Sequence, residues 1–156
     1  MLSMCTDNSS QGAAQSAIDA YRNMATMPEF QRPLSWSSPD FTLDSYNLVF
    51  LPGGHEKSVR QLIDSPIMHK QLASFFPATL KPSEKTVAAV CHGVMVLSET
   101  VGSNGKSVIH ECVTTALPAR FEQAAYWGTR ALLGDYYKTY GAGSDDVETS
   151  VCDVFS

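Results

Sequence analysis

Cys91 and His92 stand side by side in the stretch TVAAVCHGVMVL. A thiol beside an imidazole is a nucleophile beside a proton acceptor, the pairing that covalent attack on a carbonyl needs. A free cysteine is also a common inert core residue, so its placement decides between the two. Residues 87–90, Val-Ala-Ala-Val, are short, apolar and β-branched at both ends, which reads as a buried strand of a parallel sheet. Residues 94–97 resume an apolar run that Glu99 and Gly102 close, which suits a helix with a glycine terminator. A strand that becomes a helix within three residues must bend sharply. The residue at the bend then projects above the sheet, a nucleophile elbow with cysteine in place of serine. The positive end of a helix dipole there favours the thiolate. Cys91 is therefore expected to be the most reactive of the four cysteines.

A second stretch points to the same place. Residues 46–51, YNLVFL, form a strand candidate, and Pro52, Gly53, Gly54, His55 and Glu56 follow at once. Two glycines permit positive φ and let backbone N–H groups face a ligand, although the same residues also make an ordinary tight turn. In a doubly wound sheet the strand C-termini share one edge, where ligands bind. The strands at 46–51 and 87–90 are expected to be adjacent and parallel, with Gly54 and Cys91 at that edge.

The elements that carry these residues fit one domain. The chain has 156 residues, 44% of them hydrophobic and 17% charged, within the range of globular proteins. A net charge of −5 argues against nucleic acid or an anionic membrane as partner. No apolar run is long enough to span a bilayer, and residues 1–10 lack the basic start and apolar core of a signal peptide. Cys5, Cys91, Cys112 and Cys152 lie far apart with no CxxC, so neither a disulfide framework nor a zinc ribbon is indicated and a cytoplasmic location is expected.

Residues 11–27 place Ala14, Ile18, Tyr21 and Ala25 at helical spacing. A short helix over 56–64 would turn Val59, Leu62 and Ile63 inward. Ser65 and Pro66 then cap a helix to Phe76 that buries Ile67, Met68, Leu72, Phe75 and Phe76, with His69 on its exposed side. Further strands are expected at 107–109, 113–115 and around Tyr136, Tyr137 and Tyr140. Pro118 opens a helix with Phe121, Ala125, Gly128 and Leu132 on one face. Residues 141–156 hold four acids and no base and read as a loose tail, which sets the domain at 11–140.

YNLVFLPGGHE, AAVCHG and TTALPARFE with AYW together resemble the ThiJ/PfpI superfamily, a group similar to class I glutamine amidotransferases, over residues 11–140. The resemblance implies an α/β fold, a flavodoxin-like three-layer sandwich with a mostly parallel sheet. It implies Cys91 as nucleophile, His92 as its partner, and Gly54 with the backbone N–H of His92 as oxyanion donors. Gly53 and His55 belong to the same pocket loop, and Glu122 is the in-chain candidate for an acid that orients His92. Family members also carry an N-terminal strand–helix–strand unit with a glutamate beside the thiol, and a further C-terminal strand and helix. This chain is expected to be truncated at both ends, lacking that first unit.

The leading expectation is a cofactor-free enzyme in which Cys91 attacks a small carbonyl compound and His92 moves protons. Conversion of a 2-oxoaldehyde to a 2-hydroxy acid, as in glyoxalase III, fits the resemblance best, with methylglyoxal giving lactate. Amide or isocyanide hydration is the enzymatic alternative, and a redox sensor or chaperone-like protein is the non-catalytic one. Metal binding through Cys91, His92 and His55 is disfavoured, because adjacent side chains seldom reach one ion. The expected partners are the small-molecule substrate and, as an alternative to a monomer, a second copy in a homodimer; nucleic acid and membrane are not among them.

Overall fold

The computed structural model describes residues 13–155. The chain divides between Phe41 and Thr42 into two compact units. The first holds helix α1 (Gln15–Ala25) and the single turn α2 (Pro28–Gln31), whose Pro28 occupies the first helical position. The periodic apolar positions of α1 form a helix as expected, yet none of its residues is buried.

The second unit carries the candidate site. Strands β1 (Leu48–Leu51) and β2 (Thr86–Ala89) pair in parallel, Leu48 against Thr86 through Leu51 against Ala89. The fold is α/β with a small parallel sheet, and the two strands that precede the glycine loop and Cys91 are neighbours, as the sequence implies. Side chains alternate across β1: Val49 and Leu51 are buried, while Leu48 and Phe50 face outward.

Between the strands run a 3-10 turn (Lys57–Val59), the short helix α3 (Arg60–Ile63) and helix α4 (Pro66–Phe75). Ser65 caps α4 by accepting the Met68 N–H at 3.3 Å, with Pro66 at the first position. Met68, Leu72 and Phe75 are buried, but Ile67 is exposed and Phe76 only half-buried. His69 is half-buried, and its Nε2 lies 2.6 Å from the Ile63 carbonyl, so it closes α3 onto α4 rather than lying free on the surface.

After β2 the chain enters α5 (Gly93–Glu99), the centre of the unit: Gly93 through Ser98 are all buried, against β1, α3 and α4. Its last carbonyls are satisfied by hydroxyls, Thr100 Oγ1 donating to Val96 and Ser107 Oγ to Leu97 at 3.0 Å. The expected strand at 107–109 does not form. Only an isolated antiparallel bridge joins Val101 to Ser107, and turns follow through Cys112. No strand forms at 113–115 either, and among the described residues the sheet has two strands.

Helix α6 (Ala119–Leu133) starts after Pro118 and ends at Gly134, whose φ of 58° suits glycine. Its inward face is not the expected one: Phe121, Gly128 and Leu132 are exposed, and the buried residue is Glu122. Tyr136, Tyr137 and Tyr140 lie in turns, not an edge strand. Residues 141–155 correct the reading of 141–156 as a loose tail, Ser156 lying outside the described residues. They contain α7 (Val147–Cys152), capped by Asp146 and packed on α5 and α6 through buried Val147 and Val151. Asp146 Oδ1 accepts from the Thr149 N–H at 3.0 Å, so one of the tail's acids is fixed by a helix N-terminus. Among the described residues no helix is long and apolar enough to cross a membrane.

Candidate active site

The bend between β2 and α5 is sharp, and Cys91 pays for it conformationally. Its φ is 54°, the only positive φ of a non-glycine residue among those described. That conformation costs a side-chain-bearing residue about 1–2 kcal/mol. It persists because both flanks are held: Val90 N–H bonds to the β1 carbonyl of Leu51 at 3.1 Å, and α5 is buried along its length. The elbow read from the sequence is thus present, with Cys91 half-buried at its apex.

Two glycines make room for it. A Cβ on Gly53 would lie 2.5 Å from the Cys91 Cβ and 2.6 Å from the Val90 carbonyl oxygen. A Cβ on Gly93 would fall inside the van der Waals radius of the Leu51 carbonyl oxygen. Gly53 therefore lets the loop after β1 lie against the elbow, and Gly93 lets α5 start directly on the end of β1. Gly54 has φ 145°, where glycine is favoured, and a side chain there would meet nothing. Sequence reasoning missed Gly93; the signal was a small residue at the first position of a helix that follows its strand almost without a loop.

The imidazole of His92 is 1% exposed, and its Nδ1 lies 3.3 Å from the Cys91 Sγ. Burial, reinforced by the neighbouring His55, lowers the His92 pKa to about 4. At neutral pH the ring is uncharged, with a lone pair able to take a proton. The His55 ring packs edge-on against His92 at a centroid distance of 4.7 Å, and its own pKa is lowered by burial. His55 also meets Tyr137 at 4.8 Å, a residue that the sequence placed in a strand and not at the site.

The structure brings Cys91, His92, Gly53, Gly54 and His55 together. The first-turn N–H groups of α5 are spent on nearby carbonyls, Gly93 on Val90, Val94 on Cys91 and Met95 on His92. The N–H groups of Gly54 and His92 donate to no group among the described residues.

Glu122 does not join this group. Its Oε2 accepts the Val147 N–H at 3.3 Å and its Oε1 lies 3.9 Å from the Lys138 Nζ, both side chains almost fully buried. Burial raises its pKa even though Lys138 opposes the shift. The carboxylate expected to orient His92 instead joins α6 to the start of α7. Glu148 of α7 returns the contact by accepting the Ala119 N–H at the start of α6, at 2.7 Å. Among the described residues, His92 is the one side-chain hydrogen-bond partner of the Cys91 thiol, and no group of histidines, cysteines and acids is arranged to hold a metal ion. Cys5 lies outside the described residues.

A family model described as ThiJ/PfpI family-like matches residues 2–150. Two curated fission yeast (Schizosaccharomyces pombe) proteins are similar. Uncharacterized protein C14C4.04 is 28% identical over 116 residues, 74% of this chain and 41% of its own length. Uncharacterized protein C18G6.12c is 32% identical over 76 residues, 47% of this chain and 25% of its own length. The chain thus spans less than half the length of the curated relatives it matches. No solved structure matches it significantly.

Proposed function

We propose, from the premise that the chain belongs to the ThiJ/PfpI-like family, that it is a cysteine-dependent, cofactor-free enzyme acting on small 2-oxoaldehydes. The observation that carries this reading is the Cys91 thiol at a positive-φ elbow, 3.3 Å from a neutral, buried imidazole.

The chemistry follows from those groups. His92 Nδ1 accepts the thiol proton as Sγ bonds to the aldehyde carbon. The carbonyl π pair moves to oxygen, where the N–H groups of Gly54 and His92 can meet it. Return of the proton to that oxygen gives a hemithioacetal. A pKa of about 4 makes the His92 imidazolium a ready donor. His92, neutral again, takes the hydrogen of the former aldehyde carbon as a proton and delivers it to the neighbouring carbon, while the hydroxyl proton passes to the former ketone oxygen, which gives the thioester of a 2-hydroxy acid. Water then displaces the thiol and releases the acid. One carbon is oxidised as the adjacent one is reduced, so the overall step consumes only water and needs no external oxidant.

The test is turnover of methylglyoxal by the purified chain, with lactate as the measured product. Cys91→Ser should abolish it, and His92→Ala should reduce it by about 10²–10⁴-fold, the usual worth of general acid–base assistance. Absence of turnover in the unmodified chain, or turnover that survives Cys91→Ser, overturns the reading. A second reading is supported by the thiol's having no carboxylate partner among the described residues. In it Cys91 is a redox sensor: peroxide transfers one oxygen to the thiolate, giving a sulfenate and water. Reversible, Cys91-specific oxidation in a chain without turnover would favour it.

A further inference from the structure

Among the described residues, His92 has no carboxylate partner of the kind that commonly fixes a catalytic imidazole. Its Nδ1 lies against the Cys91 thiol, and its ring packs against that of His55. His55 is in turn backed by Tyr137, so three rings stand edge to face in sequence: Tyr137 on His55 at 67° and His55 on His92 at 70°. Such pairs are directional, because the positive ring edge prefers the negative ring face.

Tyr137 belongs to the segment 135–140 between α6 and α7, and this segment is fastened to the loop and helix that follow β1 at three points. Lys57 Nζ lies 2.9 Å from both Asp135 carboxylate oxygens. The Tyr137 ring meets His55. The Tyr140 hydroxyl donates to Asp64, while the Arg60 guanidinium lies 5.1 Å from the Tyr140 ring centroid. The exposed ion pair is worth little alone. Together the contacts fix the register of the segment against residues 55–64, so that Tyr137 falls opposite His55.

We propose that residues 135–140 form a strap whose Tyr137 is a positioning residue: its ring sets the plane of His55, and His55 sets that of His92 against the Cys91 thiol. An aromatic ladder thus takes the part for which Glu122 was the sequence candidate. The inference rests on the reading of Cys91 and His92 as the reacting pair, and it concerns the imidazole rather than any one substrate. The titratable groups facing His92 are Cys91 and His55; along the strap they are its own Asp135, Tyr136, Tyr137, Lys138 and Tyr140, faced by Lys57, Arg60, Asp64, Glu99 and Glu122.

The experiment is titration of the histidine rings by NMR in the full chain. Tyr137→Leu removes the outer ring, loosens His55 and admits water, so the His92 midpoint should rise from about 4 by roughly one pH unit toward an ordinary histidine. Tyr137→Phe keeps the ring and should keep the midpoint. A His92 midpoint unmoved by Tyr137→Leu overturns the proposal, as does an equal shift in Tyr137→Phe, which would place the effect in the hydroxyl. If Tyr137→Leu does not fold, the unmodified chain decides. Nuclear Overhauser contacts between the Tyr137 and His55 rings, and between the His55 and His92 rings, are expected, and their absence overturns the ladder. A chain that shifts as expected yet turns over no 2-oxoaldehyde supports the ladder and removes the proposed reaction instead.

Discussion

Helices α5 and α6 solve opposite problems. Helix α5 is short, lies at the centre of its unit and is buried at every position from Gly93 to Ser98. Helix α6 is twice as long and buries one residue, a glutamate. Apolar burial and backbone contact fix the first, and its rigidity is what allows the preceding Cys91 to keep a positive φ. The second is tied down by polar groups: Glu122 to Lys138 and the Val147 N–H, and Ala119 N–H to Glu148. The difference teaches that the Cys91 end of the unit is held by volume, where a single methyl group matters. The wall around α6 and α7 is held by a few charges, where pairing matters.

Glycine-to-alanine substitution probes that contrast most sharply. Gly93→Ala forces a methyl group onto the Leu51 carbonyl, a backbone atom of the sheet that cannot move aside. We expect a loss of about 4 kcal/mol, in the range that marks a strained core, with Cys91 no longer selectively alkylated. Chemical denaturation and mass-spectrometric mapping of alkylation measure both. A Gly93→Ala chain of unchanged stability would break the claim that close approach fixes α5.

Lys138→Met tests the charged side of the comparison. It leaves the Glu122 carboxyl buried without its cation, and removing one partner of a buried pair costs about 3 kcal/mol. The double variant Glu122→Leu, Lys138→Met should recover part of that loss, although the Val147 N–H then lacks its acceptor. Denaturation of the two variants side by side reads the coupling. A Lys138→Met chain as stable as the parent would mean that the ion pair, at 3.9 Å, contributes nothing.

The same contrast explains what the sequence disclosed. Where burial is apolar and local, the pattern was readable: the runs on either side of Cys91, the β1–β2 neighbourhood, and the Ser65–Pro66 start of α4 all formed. Helix α6 was readable as a helix but not in its orientation. Its apolar spacing through Phe121, Ala125, Gly128 and Leu132 selected a face that the folded chain leaves largely open. The inward face is chosen by Glu122, whose partners Lys138 and Val147 lie on segments distant in sequence. The strap was missed for the same reason: three tyrosines resemble a strand until Asp135, Tyr137 and Tyr140 find Lys57, His55 and Asp64. Residues 107–109 do not continue as a strand because the backbone turns straight after the Ser107 bridge, the Ser107 carbonyl accepting the His110 N–H and the Ile109 carbonyl the Cys112 N–H.

The buried imidazole gives the α5 side a pH signature. The His92 pKa is near 4 in the folded chain against an ordinary value of 6.5. Below pH 6.5 the unfolded chain therefore binds a proton that native His92 refuses. The contribution is fully present above pH 6.5 and is lost as pH falls toward 4, about 3 kcal/mol in all. Glu122 has the opposite sign: its raised pKa makes folding easier as its carboxyl gains a proton. Comparing the parent with His92→Gln between pH 7 and pH 4.5 isolates the histidine. The parent should lose stability more steeply, and parallel slopes would mean that His92 titrates normally.

Gly128→Ala is the smallest and opposite effect, and it closes the comparison on the α6 side. Gly128 lies inside α6, and a Cβ placed there would meet no atom within 4 Å. The substitution therefore creates no clash and removes no contact. What changes is the unfolded chain, which loses conformational freedom when glycine becomes alanine, and the helix, which gains about 0.5–1 kcal/mol of intrinsic preference. Stability should rise by that amount, with Cys91 alkylation unaltered. The same chemical change that collapses α5 at Gly93 would then strengthen α6 at Gly128. A loss of stability at Gly128 would show that this face of α6 is covered by something its exposure does not reveal.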